Sequence, residues 1–143
     1  DEGLASSVEI LKKTPSKDFL SHINLYDKID LCLDTFPFTG VTTTFEALWK
    51  NVPVITKAGY NFNSRCGESI LRNADIENFI AINNEDYIEK AVFYANNINE
   101  LDHTRKKLFN NINETPLFDT KGFSNDFCEA LENMQKIISK DHK

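Results

Sequence analysis

Short apolar runs alternate along this chain with stretches whose apolar residues recur at helical spacing, and that alternation limits the fold more than any other feature. The runs are Val8-Glu9-Ile10-Leu11, Leu31-Cys32-Leu33, Val52-Pro53-Val54-Ile55-Thr56 and Phe79-Ile80-Ala81-Ile82. Each has the length of a buried strand, and a helix-like stretch separates each from the next. Strands joined through helices pair in parallel, because a parallel pair needs a crossover connection. The first helix opens at Thr14-Pro15-Ser16 and carries Phe19, Leu20, Ile23 and Tyr26. Others are expected over 43–50, over 64–72 with Ile70 and Leu71 inward, and after Asn84 as a cap with Tyr87, Ile88, Ala91, Val92 and Ala95 inward. Two more, over about 99–111 and 124–139, close the chain.

The reading is therefore α/β: residues 1–143 as a single domain, with a Rossmann-like parallel sheet of four to five strands flanked by helices, plus extra C-terminal helices. Strands 31–33 and 54–55 are expected to be central neighbours. In the last helix Phe127, Leu131, Met134 and Ile138 form an apolar face, expected to pack rather than hang free. Ligands of such sheets bind at the carboxyl ends of the strands.

Composition excludes several functions. A net charge of −6 with no basic cluster argues against nucleic-acid binding. No apolar run approaches the roughly 20 residues that cross a bilayer, so no membrane partner is expected. Cys32, Cys66 and Cys128 are odd in number and far apart, with neither zinc spacing nor a disulfide framework, which points to a reducing, cytoplasmic setting. The chain opens Asp1-Glu2-Gly3 without Met and reads as a piece of something longer.

The stretch from Asp34 to Trp49, DTFPFTGVTTTFEALW, carries the chemistry. It runs from a strand end through a turn with Pro37 and Gly40 into a helix N-terminus holding Thr42, Thr43 and Thr44. Unpaired N–H groups, the positive end of the helix dipole and threonine hydroxyls together suit a phosphate or diphosphate. Thr43-x-x-Glu46 is also a capping box, and on pattern alone that simpler role is the commoner one. Asp30 and Asp34 read as turn residues, Asp30 ending a helix and Asp34 fixing the loop after the strand. Trp49 and the phenylalanines read as core, and Arg65 as a partner for either an anion or a local carboxylate. Cys66, His103 and His142 show neither nucleophile nor metal-ligand spacing.

Residues 30–49, followed by Asn51-Val52-Pro53-Val54-Ile55-Thr56 and Ser64-Arg65, resemble the C-terminal catalytic region of O-linked N-acetylglucosamine transferases. The likeness is to bacterial members with upstream tetratricopeptide repeats, and Pro116-Leu117-Phe118-Asp119-Thr120 extends it toward the tail. The resemblance implies part of the C-terminal half of a two-domain GT-B glycosyltransferase (family 41 type). It further implies an inverting, metal-independent transfer of a sugar, N-acetylglucosamine first, from a UDP-sugar donor to Ser or Thr of a protein. Thr42 and Thr43 would hold the diphosphate, with Gly40, Val41 and Thr44 completing the turn. Glu46 would take the ribose hydroxyls and His22 would pack on the uracil. Without the resemblance His22 reads as a surface residue of a short amphipathic helix. Val41 departs from the histidine of animal members, so a side-chain contact to the diphosphate is lost there.

No catalytic residue, metal site or cofactor is expected in this piece, which supplies nucleotide binding and is inert alone. The family's diphosphate-binding lysine, its reaction-centre histidine and the repeats that select protein acceptors all lie upstream of the part covered here. Alternatives are a related GT-B enzyme using another sugar, a guanosine donor or an Asn acceptor, and a non-catalytic nucleotide-binding or assembly module. In a truncated chain the apolar face of the last helix would stay exposed or pair with a second copy in a homodimer.

Overall fold

The computed structural model describes residues 19–141. The strand expected over 8–11 and the helix start at 14–16 lie outside the described residues, as does His142. Helix α1 (Phe19–Ile23) runs into a 3-10 turn, Asn24–Lys28, and then β1 (Cys32–Leu33), α2 (Thr42–Trp49), β2 (Val54–Lys57), α3 (Phe62–Asn73) and β3 (Ile80–Ala81) follow. Helices α4 (Asn84–Asn96), α5 (Ile98–Asn111) and α6 (Thr120–Asp141) are the last helices of the described residues. Among the described residues the sheet has three strands, where four to five were expected, parallel in the order β1-β2-β3, with Cys32 opposite Val54, Leu33 opposite Ile55, Thr56 opposite Ile80 and Lys57 opposite Ala81. The α/β class and the parallel β1–β2 pairing match the sequence reading.

The central position of β1 does not. Among the described residues β1 is an edge strand and Leu33 is 57% exposed, whereas β2 lies in the middle with Val54, Ile55 and Thr56 buried. Hydrogen bonds from Cys32 N–H to the Pro53 carbonyl (2.9 Å) and from Asp34 N–H to the Ile55 carbonyl (2.9 Å) lock β1 onto β2.

Helices α2 and α3 end alike. Asn51 (φ 59°) and Asp75 (φ 56°) follow the caps in left-handed conformation, which these short polar side chains tolerate better than most. Val52 N–H then returns to the Ala47 carbonyl (2.8 Å) and Ile76 N–H to the Leu71 carbonyl (3.2 Å), the Schellman pattern. In each case the residue after the turn is buried against the helix it ends, and these apolar stops seat both helices on the sheet.

Leu48, Val52, Ile55, Leu71, Ile76 and Phe79 centre the core, where Phe79 stacks on Tyr94 with ring centroids 4.2 Å apart. Ile70 and Leu71 face inward as expected. Helix α4 differs: Tyr94 is buried while Ile88 and Val92 are exposed, and the cap is Asn83, whose side chain accepts the Asp86 N–H, not Asn84. Phe79 lies in a 3-10 turn rather than in the strand, and Ile82 is exposed.

Trp49 is not core. It is 58% exposed and packs edge-on against Phe118, and of the phenylalanines only Phe79 is buried among the described residues. Helix α6 starts before 124 because the Asp119 carboxylate caps it, accepting the Gly122 N–H at 2.8 Å. Its face of Phe127, Leu131, Met134 and Ile138 is exposed along its length, so the expected packing is absent among the described residues.

Candidate functional site

The carboxyl end of β1 delivers Asp34, whose carboxylate is the hub of the loop that follows. Its Oδ1 accepts N–H bonds from Thr35 (2.9 Å) and Gly40 (2.7 Å), and its Oδ2 accepts the Thr56 hydroxyl of β2 (2.7 Å). The Asp34 carbonyl accepts the Tyr87 hydroxyl at 2.8 Å. Buried Thr39 donates its hydroxyl to the Asn63 carbonyl (2.8 Å) and accepts the Gly67 N–H (3.2 Å), tying the loop to α3. Gly67 is required there, since a Cβ would collide with Thr56 and the Asp34 carboxylate. Asp34 thus fixes the loop, as its position after a strand implied. Asp30 does not end a helix; it is exposed and pairs with Arg105 at 3.3 Å.

This loop aims the first turn of α2. Val41, 44% exposed, is the N-cap and makes no side-chain cap bond, so the Thr43–Glu46 capping box does not form. The N–H groups of Thr42, Thr43 and Thr44 have no partner among the described residues, and the first helical bond runs from Phe45 N–H to the Val41 carbonyl. Thr42 and Thr43 are exposed. Thr44 is buried and donates its hydroxyl to the Gly40 carbonyl (2.9 Å), leaving only its N–H for a ligand.

Glu46 turns away from the helix start to meet α1 and the 3-10 turn. His22 Nε2 lies 3.0 Å from Glu46 Oε2, and the Tyr26 hydroxyl donates to the same oxygen at 3.1 Å and to the Thr43 carbonyl at 3.3 Å. The His22 and Tyr26 rings meet edge-on, 6.0 Å between centroids. Burial, reinforced by the Glu46 carboxylate, pushes the Tyr26 phenol well above its ordinary range, so it stays a donor. The structure therefore gathers His22, Gly40, Val41, Thr42, Thr43, Thr44 and Glu46 around one helix end. Beside them a cleft of about 170 Å³ is lined by Tyr26, Cys32, Leu33, Asp34, Thr43, Thr44 and Val54.

Other candidates resolve into structural roles. Arg65 pairs with Glu68 (3.1 Å), which Arg72 holds from the other side at 3.1 Å. Burial of Glu68 opposes ionisation, but the two guanidinium bonds outweigh it and hold the carboxyl below its ordinary value. Burial also raises the Cys32 thiol, aided by Asp34, which opposes thiolate formation there, and the Cys66 thiol donates to the Phe62 carbonyl. Among the described residues no group of three or more metal-ligating side chains is present, and no helix is long and apolar enough to cross a membrane.

Sequence reasoning missed Tyr26 as a polar partner, along with Tyr87, Thr39, Thr56 and Gly67. One signal was available: Tyr26 lies four residues after His22, on the same side of a helical turn. A second was the Asn61-x-x-Ser64 cap, in which Asn61 accepts the Ser64 N–H at 3.0 Å and starts α3 at Phe62 rather than at 64.

Residues 2–127 match the profile of glycosyl transferase family 41. A probable UDP-N-acetylglucosamine–peptide N-acetylglucosaminyltransferase SPINDLY of Solanum lycopersicum is 34% identical over 113 residues, covering 79% of this chain and 12% of the relative. The UDP-N-acetylglucosamine–peptide N-acetylglucosaminyltransferase of Caenorhabditis elegans is 26% identical over 136 residues, 95% of this chain and 12% of that protein. Among solved structures, a mutant of the Thermobaculum terrenum O-GlcNAc transferase superposes with a TM-score of 0.80 at 29% identity, over 90% of this chain and 24% of that one. The chain thus spans about an eighth of the length of these curated relatives. On the breadth of the profile match, and on a fold shared at 29% identity with a solved relative, the chain belongs to glycosyl transferase family 41.

Proposed function

We propose that this chain is the donor-nucleotide-binding portion of an inverting glycosyltransferase that moves N-acetylglucosamine from UDP to Ser or Thr of a protein. One observation carries the reading. The uncapped first turn of α2, with Thr42 and Thr43 exposed, lies one turn from a carboxylate that already touches His22. A nucleoside diphosphate needs such a set: N–H groups and hydroxyls for the anion, an acceptor for the ribose diol, and a ring face for the base. The Thr42–Thr44 N–H groups and the Thr42 and Thr43 hydroxyls receive the diphosphate, with Gly40 and Val41 shaping the approach. Glu46 takes the ribose, and His22 flanks the uracil.

The leaving diphosphate gains its stabilisation from the α2 N-terminus and from hydroxyls, without a metal ion. The basic side chain, the reaction-centre histidine and the acceptor-selecting repeats belong to upstream parts of the longer protein. The chain is inert alone, and the whole enzyme is cytoplasmic.

The test is calorimetry with UDP on the whole transferase. Each hydrogen bond to the charged diphosphate is worth about 1.5–3 kcal/mol. Removing two hydroxyls in a Thr42→Val, Thr43→Val double variant should weaken binding at least about tenfold. Glu46→Gln should cost less, since an amide still accepts from the ribose. Unchanged affinity in the double variant would sink the site, and tighter binding of GDP than UDP would replace the donor.

A further inference from the structure

Tyr26 is 8% exposed, with its ring in the core beneath α2. A phenylalanine would fill that space; among the described residues the hydroxyl bonds only Glu46 Oε2 (3.1 Å) and the Thr43 carbonyl (3.3 Å). A phenol has one proton, and the charged, nearer carboxylate takes the larger share of it. His22 Nε2 approaches the same oxygen at 3.0 Å. Glu46 Oε2 is therefore occupied by two partners, while no hydrogen bond reaches Oε1 among the described residues. An unrestrained glutamate loses rotamer freedom when it binds a ligand, whereas this carboxylate has already lost it. Of the two partners, His22 is 42% exposed at its side chain, whereas Tyr26 is buried in the core.

We propose that Tyr26 is a positioning residue that holds the Glu46 carboxylate with one oxygen saturated and the other presented to the ribose diol of the donor nucleotide. The inference rests on the nucleotide reading above. Its second bond, to the neutral Thr43 carbonyl at 3.3 Å, is the longer one, so the hydroxyl acts on the ligand through Glu46. Selectivity for a ribose over a sugar lacking both hydroxyls is the property it should govern.

The experiment measures binding of UDP and of 2′,3′-dideoxy-UDP to the whole transferase and to Tyr26→Phe, Glu46→Ala and the double variant. The unsubstituted protein should prefer UDP by about tenfold or more. Tyr26→Phe should weaken UDP by about threefold to tenfold, leave the dideoxy ligand nearly unchanged, and so narrow the preference. In the Glu46→Ala background the Tyr26 substitution should have no further effect, because its target is gone. Equal weakening of both ligands by Tyr26→Phe, or the same loss with and without Glu46, would assign Tyr26 to packing alone and overturn the inference while leaving the nucleotide reading intact. Failure of the unsubstituted protein to bind UDP would overturn both.

Discussion

Gly67 sits inside α3, where replacing glycine by alanine ordinarily stabilises a helix by about 0.8–1 kcal/mol. The tertiary structure reverses that expectation. A Cβ at this position would stand 2.7 Å from Asp34 Oδ2 and closer still to Thr56 Oγ1, at the bond that joins β1 to β2. Overpacking of this kind costs about 1–3 kcal/mol. Relief by moving Thr56 aside breaks a hydrogen bond to a charged acceptor, worth about 1.5–3 kcal/mol. The two costs overlap, since paying one lessens the other, so the net effect of Gly67→Ala should be a loss of about 0.5–2 kcal/mol after the helix gain. Urea unfolding followed by far-ultraviolet circular dichroism reads this directly, as a lower midpoint at unchanged slope. A variant as stable as the original, or more so, would show that α3 stands off from the Asp34 hub and that the description of the loop is wrong.

Two further outcomes follow from neighbouring residues. Asp34→Ala strands the buried Thr56 hydroxyl and the Gly40 and Thr35 N–H groups, and should destabilise by about 3–5 kcal/mol, whereas Asp34→Asn, which still accepts on one side, should cost about 1–2 kcal/mol; equal losses in chemical denaturation would deny the carboxylate its hub role. The Arg65 and Arg72 guanidinium groups hold the folded Glu68 carboxyl below its ordinary value of 4.5, so its contribution is present above that value and lost as pH falls through the lower folded one. Glu68→Gln should accordingly flatten the acid limb of a stability–pH curve below about 4.5, and an unaltered limb would mean that Arg65 and Arg72 do not hold the carboxylate.

Much of the fold was legible because its signals are local. Three described strands fall on or within a residue of the apolar runs, since a strand buried on both faces must be apolar throughout. Helices α2 and α5 lie within a residue or so of their expected bounds, because periodicity and breaker residues sit inside the segments themselves. The candidate site residues come from one uninterrupted stretch plus His22, which the structure brings to within 3.0 Å of Glu46. The caps were less legible: Asn83 was passed over for the adjacent Asn84, and α3 and α6 were expected to begin at 64 and 124, past the caps Asn61 and Asp119, as nearby polar residues compete equally well on pattern.

By itself, the sequence determined that this chain makes a parallel α/β sheet with a helix N-terminus at a strand's carboxyl end, because spacing from i to i+4 encodes each element. Tertiary structure alone decided that β1 lies at an edge of the described sheet, that Trp49, Ile88 and Val92 face outward, and that Glu46 leaves its capping partner for His22 and Tyr26. Those outcomes depend on groups 20 to 53 residues apart, such as Tyr26 with Glu46 and Tyr87 with the Asp34 carbonyl. A polar side chain takes the partner that packing brings within reach, and no local pattern records which one that will be.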